Sequence, residues 1–167
     1  MAKNWKIRKD LSIEFYGHTL FRIECTQDFK EIKAGTLGGF IEKEENLDGD
    51  AWVYGNAKVY GDAQVYDDAQ VYGNAWVYDD AQVCGDKITN KDDICYISNR
   101  YYNITITPLH IKIGCQYHAQ DAWWNFTDEQ IEKMDGESAL NFWKIWKEPL
   151  KQICDAMKKE KGEKDVK

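Results

Sequence analysis

Histidine and cysteine are the residues of this chain that could ligate a metal ion or move a proton near neutral pH. His110, Cys115 and His118 follow the spacing His-x4-Cys-x2-His, and imidazole with thiolate is a common zinc donor set. This spacing is not a strong zinc pattern, so we expect structural residues and no metal site. His118 and Asp121 could form a dyad, but no nucleophile signature accompanies them, and we expect no catalytic residues there.

Aromatic side chains offer a second kind of chemistry, because they bury large apolar areas and stack on flat rings. The chain has 167 residues and contains 7 Trp and 10 Tyr. Many of these lie in one segment, which reads AWVYGNAKVYGDAQVYDDAQVYGNAWVYDDAQV from Ala51 to Val83. What these rings can contact depends on the direction in which that segment turns them.

The segment is a series of six-residue words, which run GDAWVY, GNAKVY, GDAQVY, DDAQVY, GNAWVY and DDAQVC from Gly49 to Cys84. Within each word, Ala-x-Val-Tyr alternates with the period of two that is typical of a β-strand. The next two residues are Gly or Asp followed by Asn or Asp, which accept left-handed or tight-turn backbone. Each word therefore predicts a short strand and a corner.

A corner every six residues leaves no length for hairpins, so we expect three words to form one triangular coil of 18 residues. Successive coils would stack about 4.8 Å apart through parallel hydrogen bonding. With these words the segment resembles the hexapeptide-repeat family, whose fold is the left-handed parallel β-helix. The phase extends backward, with Gly39 at an Ala position, and decays forward at Lys87. About three coils are expected over residues 36–90.

The preceding segment carries a second resemblance. Its pieces LFRI (20–23), KAGTLGGF (33–40) and ENL (45–47) are similar to the opening of small hexapeptide-repeat proteins found in bacteriophage and prophage genomes. This likeness covers about the first half of the chain. It implies a phage-type protein that acts in the cytoplasm of a bacterial host.

The flanks of the repeat are expected to cover its ends, since an open β-helix end exposes backbone donors and apolar side chains. We predict an N-terminal β cap over 1–35, the β-helix over 36–90, a β-meander cap over 91–126 and a helical tail over 127–167. The tail opens with a capping-box pattern, Thr127 to Gln130, and Gly136 is an expected stop. The predicted class is mainly β, a short left-handed parallel β-helix with β-strand caps and a C-terminal α-helical appendage.

Composition excludes several partners. The net charge is −7 and the pI is about 5.0, which disfavours binding to duplex nucleic acid. The sequence lacks an apolar run of about 18 residues that could span a membrane, so we expect a soluble cytoplasmic protein. The five cysteines are widely spaced and form no CxxC, which predicts reduced thiols.

On a triangular prism, residues that are 18 apart stack on the same face. Tyr54 would lie over Tyr72, and Tyr60 over Tyr78, with side chains pointing outward. The residues expected to bind a ligand or partner are Trp52, Tyr54, Lys58, Tyr60, Tyr72, Trp76, Tyr78 and Arg100. The residues expected at an interface are Tyr66, Trp123, Trp124, Trp143 and Trp146. Alternatively, the ladders stabilise the sheet alone, and Trp123 and Trp124 pack the terminal helices.

Members of the hexapeptide-repeat family often assemble as trimers and bind ligands in the clefts between subunits. The resemblance thus implies a homo-oligomer, with a trimer favoured, whose aromatic clefts stack a flat ring such as a nucleobase while Lys58 and Arg100 meet phosphate. We expect a non-catalytic accessory protein without a cofactor. It would sequester a small ligand, such as a nucleotide signal of antiviral defence, or bind a host protein.

Three different functions stay open beside this one. Many enzymes of the family are acyltransferases that use an acyl-CoA donor and a general-base histidine in the coil region. No histidine lies between Gly35 and Leu109, so we expect that the chain is not an enzyme. A structural component of a phage particle is the second of these functions, and a plain oligomerisation module is the third.

Overall fold

The computed structural model describes residues 3–164, with side chains described through residue 159. It divides into two compact units, with the boundary between Tyr96 and Ile97. The predicted class, mainly β with a helical C-terminal segment, is confirmed. Residues 1 and 2 of the predicted N-terminal cap and residues 165–167 of the predicted tail lie outside the described residues.

The first unit begins with a long antiparallel hairpin, made of β1 (Trp5–Phe15) and β2 (His18–Cys25). Tyr16 and Gly17 form its turn, with φ angles of 47° and 83°, and a two-residue turn with two positive φ values matches the twist of a hairpin. Strand β2 continues into an antiparallel pair with β3 (Leu37–Ile41). The hairpin thereby becomes part of the sheet that the repeat builds.

Seven short strands follow, one for each repeat word. They are β4 (Trp52–Val53), β5 (Lys58–Val59), β6 (Gln64–Tyr66), β7 (Gln70–Val71), β8 (Trp76–Val77), β9 (Gln82–Cys84) and β10 (Lys87–Ile88). Strands three words apart pair in parallel, so that Phe40 lies opposite Lys58 and Lys58 opposite Trp76. Three small sheets result, with the orders β1-β2-β3-β5-β8, β4-β7-β10 and β6-β9.

The Ala and Val positions of the words form the core. Their exposed fractions are 0–1% at Ala51, Ala57, Ala63, Ala69, Ala75, Ala81, Val53, Val59, Val65, Val71, Val77 and Val83. The first corner residue of each word has a positive φ, which Gly adopts without strain. Asp67 and Asp79 adopt the same conformation, each with φ of 55°. The corner pair therefore does turn the chain at every word, as its residue types predict.

The repeat phase does not simply decay at Lys87, which corrects the expectation from the sequence. Lys87 pairs with Gln70, and Asp86 is buried with its carbonyl accepting the Gln70 N–H at 2.9 Å. Ala69 accepts the Trp52 N–H in the same way at 3.1 Å. Asp86 thus occupies an Ala position, and the corner at Gly85 is one residue short.

Two 3-10 turns flank the parallel strands, Glu44–Asn46 and Lys91–Asp93. The buried Asn46 side chain accepts the Lys43 N–H at 2.9 Å and donates to the Ala63 carbonyl at 2.8 Å. Asp93 plays the same part in the second turn, where it accepts the Thr89 N–H at 2.7 Å. Each turn therefore satisfies backbone groups that would otherwise be buried without partners.

The second unit holds a small antiparallel sheet and helices. Strand β11 (Cys95–Ile97) spans the unit boundary, and β12 (Ile104–Ile106), β13 (His110–Ile113) and β14 (Gln116–Ala119) pair in sequence order. Helices α1 (Gln120–Asn125) and α2 (Asp128–Lys164) follow.

Helix α2 begins at the predicted capping box, because the Thr127 N–H donates to the Gln130 side chain at 2.9 Å and the Gln130 N–H donates to Thr127 Oγ1 at 3.3 Å. Asp135 and Gly136 interrupt it with non-helical backbone, where the sequence predicts a stop. Within residues 3–164, no helix combines the length and the apolar character that crossing a bilayer requires.

Candidate functional site on the aromatic face

The first aromatic face lies on the sheet that contains β3, β5 and β8, where Phe40, Lys58 and Trp76 form one cross-strand row. The hairpin covers this row. The ring of Phe15 lies 5.1 Å from Trp76 and 5.8 Å from Tyr60, measured between centroids. Phe40 is 7% exposed and Tyr60 is 9% exposed as a result. Much of the predicted outward face is therefore buried by the chain itself.

The end of this face is still open to solvent. Tyr16, in the hairpin turn, is 77% exposed and its ring lies 5.9 Å from Trp76. Tyr78 is 40% exposed and stacks on Tyr60 at 5.7 Å. We call Phe15, Tyr16, Trp76 and Tyr78 the hairpin-tip patch. Clustered exposed rings of this kind are typical of contact surfaces.

A histidine and a carboxylate meet beside the hairpin-tip patch. His18 Nδ1 lies 2.9 Å from Glu42 Oε1, and Glu42 Oε2 accepts the Gly61 N–H at 2.7 Å. Because a carboxylate only accepts hydrogen bonds, Nδ1 carries the proton and Nε2 is the basic nitrogen of the neutral ring. Burial alone would raise the pKa of Glu42, but the hydrogen bonds from His18 and Gly61 lower it below its ordinary value.

The sequence predicts His18 in the N-terminal cap and indicates no role for it at the repeat. The pairing of β2 with β3 places Phe21 opposite Ile41, and His18 thereby comes close to the residue that follows Ile41. The His18 ring also lies 5.0 Å from the Tyr60 ring. The alternating pattern of residues 18–25 is the available signal, but it does not reveal which strand is the partner.

The cations of this face are engaged within the chain. Lys58 Nζ donates to the Asn56 carbonyl at 2.9 Å and lies 4.8 Å from the Phe15 ring centroid. Burial lowers the pKa of Lys58. Arg100 belongs to the second unit, where it is exposed and lies 5.8 Å from the Tyr101 ring. Lys58 therefore offers little to the phosphate that the sequence predicts as its partner.

Trp52 does not point outward, and that expectation is wrong. Its exposed fraction is 1%. The ring of Phe29 packs against it at 5.6 Å, and the bridge between Phe29 and Ile32 holds this covering loop in place. The reason is long-range packing, since Trp76 holds the same word position and stays half-buried.

The second aromatic face carries the predicted ladder of Tyr54 and Tyr72. Their rings stack at 4.2 Å with an angle of 4° between planes, and Lys87 Nζ lies 4.7 Å from the Tyr72 centroid. Burial, followed by the Tyr72 hydroxyl, raises the pKa of Tyr54 to about 12. Both rings are half-buried, so this ladder stabilises the sheet as well as forming its surface.

Tyr66 lies on the third face, next to Cys84 in the parallel pair of β6 and β9. It is half-buried, and burial with the neighbouring Cys84 raises its pKa to about 12. The Cys84 thiol lies 2.9 Å from Asp67 Oδ2 and donates to it.

The tryptophans that the sequence predicts at an interface pack inside the second unit. Trp123 and Trp143 are 2% and 3% exposed, and their rings lie 5.3 Å apart. Trp124 stacks on Trp143 at 6.1 Å, and Trp146 stacks on Phe142 at 5.7 Å. Mutual packing of these rings is the reason that Trp123 and Trp143 do not lie at a subunit surface.

The histidines of the second unit also pack on aromatic rings. His110 stacks on Tyr117 at 4.7 Å, and His118 meets Trp123 edge-on at 5.2 Å. Burial lowers the pKa of His118. Across residues 3–164, the described His, Cys, Asp and Glu side chains form no group of three that could hold a metal ion.

No protein-family model matches this sequence, and no curated protein matches it. The function must therefore be inferred from the arrangement of the side chains. Two features of the first aromatic face can act on another molecule: the exposed rings of the hairpin-tip patch can stack or pack, and His18 can accept a proton at Nε2.

Proposed function

We propose that residues 36–90 wind into a short left-handed parallel β-helix of about three coils, the fold of the hexapeptide-repeat family that the sequence resembles. Three observations support this. Strands pair in parallel at a spacing of 18 residues, as between Phe40 and Lys58. The Ala and Val positions are buried in every word. Left-handed backbone recurs at the corners, at Gly61 and Asp79 for example.

On this scaffold the protein acts as a non-catalytic, phage-type binding protein that assembles as a homotrimer. The observation that carries this proposal is the exposure of Tyr16 and Tyr78, 77% and 40%, at the edge of a face that is otherwise covered. Clustered exposed rings gain free energy when a partner buries them. A neighbouring subunit that packs on the hairpin-tip patch would form an aromatic cleft with it.

The cleft suits a flat ring, such as the base of a nucleotide signal of antiviral defence. Stacking on an aromatic side chain contributes about 1–3 kcal/mol per base. Because Lys58 already donates to the chain and Arg22 donates to the Gly38 carbonyl at 2.7 Å, the ring would supply most of the binding energy and the phosphates little. In the bacterial cytoplasm, such binding would sequester the ligand. A host protein is the other occupant that this surface could take.

The oligomeric state tests the first step. Native mass spectrometry should show a trimer for the wild-type chain and monomers for the double variant Tyr16→Ser/Tyr78→Ser. Tyr101→Ser is the matched control, since Tyr101 is 68% exposed in the second unit and its loss should leave the trimer intact. A monomeric wild-type protein would contradict the proposal.

Calorimetry against a panel of nucleotides tests the ligand. Binding heat that disappears in the double variant supports sequestration. A trimer without affinity for any nucleotide in the panel would favour the oligomerisation module, and recovery of the protein from purified virions would favour a structural component of the particle.

The pair of His18 and Glu42 favours acyl transfer as a second candidate. A histidine that is oriented by a carboxylate at Nδ1 can take a proton at Nε2 from an acceptor hydroxyl or amine. The test is release of free coenzyme A from acetyl-CoA in the presence of amine and alcohol acceptors. Turnover that is lost in His18→Gln would establish this candidate, and absence of turnover in the wild-type chain would reject it.

A further inference from the structure

The second unit encloses a cavity of about 180 Å³ between its sheet and helix α2. Aromatic rings form much of its wall, with Tyr102, Trp123, Phe142 and Trp143 among them. The exposed residues Cys115 and Asp135 also line it and mark its opening. None of these residues belongs to the hairpin-tip patch, so this cavity is a separate feature from the site described above.

The volume of the cavity limits what it can hold. An apolar cavity of about 150 Å³ is enough to bind benzene. A cavity of about 180 Å³ therefore accepts one six-membered ring with a small substituent and excludes a nucleotide. Its aromatic lining suits a ring, because edge-to-face and offset-stacked contacts add to the burial of apolar area.

One polar atom in the wall lacks a partner. Trp143 is 3% exposed, and its indole Nε1 has no hydrogen-bond partner among the described residues. The neighbouring donors do have partners, since Trp123 Nε1 donates to the Ile111 carbonyl and the Tyr102 hydroxyl donates to Asp135. A buried indole N–H without an acceptor is costly, so an acceptor on a bound molecule would stabilise it.

The orphaned donor and the cavity coincide only at Trp143. Trp5 and Trp52 also have indole nitrogens without partners in the described chain, but neither lines this cavity. Trp5 therefore provides a control that shares the missing hydrogen bond without the cavity.

The charge at the opening narrows the ligand further. Asp135 lies on the rim and would repel an anion. A cation would be attracted to Asp135 but would not satisfy the indole N–H, which needs an acceptor. A neutral molecule meets both conditions.

We propose that this cavity binds a small neutral molecule with one aromatic ring and one hydrogen-bond acceptor, of the aryl ketone or aryl aldehyde class. The ring lies among Tyr102, Trp123 and Phe142, and the acceptor takes the hydrogen bond from Trp143 Nε1.

Three probes test this site on the full chain by calorimetry and ligand-observed NMR. Acetophenone carries a ring and an acceptor, ethylbenzene has the same size without the acceptor, and benzoate adds a negative charge. We expect acetophenone to bind about tenfold more tightly than ethylbenzene, the gain from one well-made hydrogen bond to a buried donor. Benzoate should not bind measurably. Equal affinities for acetophenone and ethylbenzene, or no binding by either, would overturn the proposal.

Trp143→Phe assigns the hydrogen bond. This variant keeps an aromatic wall but removes the N–H, so the affinity for ethylbenzene should stay within about twofold while the advantage of acetophenone disappears. Trp5→Phe should leave both affinities unchanged. An advantage of acetophenone that persists in Trp143→Phe contradicts the assignment.

A second measurement on the wild-type chain decides the location even where Trp143→Phe does not fold. Cys115 lines the cavity and is exposed, so bound acetophenone should slow its alkylation by iodoacetamide, followed by peptide mass spectrometry. Cys84 lies in the first unit and should react at an unchanged rate. Alkylation of Cys115 that is insensitive to saturating acetophenone would place the probe elsewhere and overturn the proposal.

Discussion

His18 Nδ1 lies 2.9 Å from Glu42 Oε1, and the second oxygen of the same carboxylate accepts the Gly61 N–H. One side chain thus connects the hairpin turn to a corner of the repeat. His18 and Glu42 are both partly shielded from solvent, with side chains that are 36% and 29% exposed. The arrangement ties the covering hairpin to the face that it covers.

The pH dependence of stability should report this connection. The pKa of Glu42 is lowered in the folded chain, so its contribution is present above the ordinary Glu pKa and is lost as the pH falls through the folded value. We expect Glu42→Gln to reduce the free energy of unfolding by about 1 kcal/mol at pH 7. The difference should shrink below about pH 4, as measured by urea unfolding.

Glu14→Gln is the matched control, because Glu14 accepts the Thr19 hydroxyl on the same hairpin and is exposed. Its effect should be small at both pH values. A difference between wild type and Glu42→Gln that is as large below about pH 4 as at pH 7 would contradict the role given to the carboxylate.

Trp52 and Trp76 hold the same word position but different environments. Trp52 is 1% exposed whereas Trp76 is half-buried. Truncation of a buried tryptophan to alanine typically costs about 3–5 kcal/mol, so Trp52→Ala should reduce the free energy of unfolding by that amount and Trp76→Ala by clearly less. Chemical denaturation of both variants measures the order. Equal losses would show that the covering loop at Phe29 does not bury Trp52 in solution.

Gly39 occupies an Ala position of the repeat, yet the structure leaves no space for alanine. A Cβ atom there would lie 2.5 Å from Val53 Cγ1 and 2.6 Å from the Ala57 carbonyl oxygen. Overpacking of this kind costs about 1–3 kcal/mol or more, so Gly39→Ala should lower the melting temperature strongly or prevent folding. Gly35→Ala separates sterics from backbone strain, since φ is +83° and nothing lies within 4 Å. It should cost about 1 kcal/mol. Similar melting temperatures for both variants would argue against this packing.

Asp79 adopts φ of 55° at a corner where other words carry Gly. Relief of left-handed strain should outweigh the extra freedom of Gly in the unfolded chain. We therefore expect Asp79→Gly to stabilise the protein by about 0.5 kcal/mol. Asn74→Gly is the control, because Asn74 is not among the residues with positive φ, and it should destabilise by a similar amount. Calorimetric melting gives both values, and a loss of stability in Asp79→Gly would contradict the strain argument.

The sequence alone predicts the register of the repeat. Spacing decides which residues face each other, so Lys58 opposite Trp76 and a buried Val59 follow from the six-residue words. The short corner at Gly85 is not predictable, because a corner of one residue uses the same residue types as a corner of two. Only the pairing of Lys87 with Gln70 reveals it.

The candidate site is predictable only in part. The periodicity brings Lys58, Tyr60, Trp76 and Tyr78 to one face, and the structure places them there. It cannot show that Phe15 and His18 join them, because that contact depends on antiparallel pairing between distant segments. The outward position predicted for Trp52 is wrong for the same reason, since the loop that buries it lies outside the repeat.

The constant register of 18 residues between Phe40, Lys58 and Trp76 makes this segment divisible into interchangeable floors. Excision of residues 58–75 would join Ala57 to Trp76 and set Trp76 opposite Phe40, with each methyl group and isopropyl group still on the inside. A cut of six residues would instead rotate everything downstream by one side. Evolution can thus lengthen or shorten the prism in whole storeys of about 4.8 Å without redesigning either end.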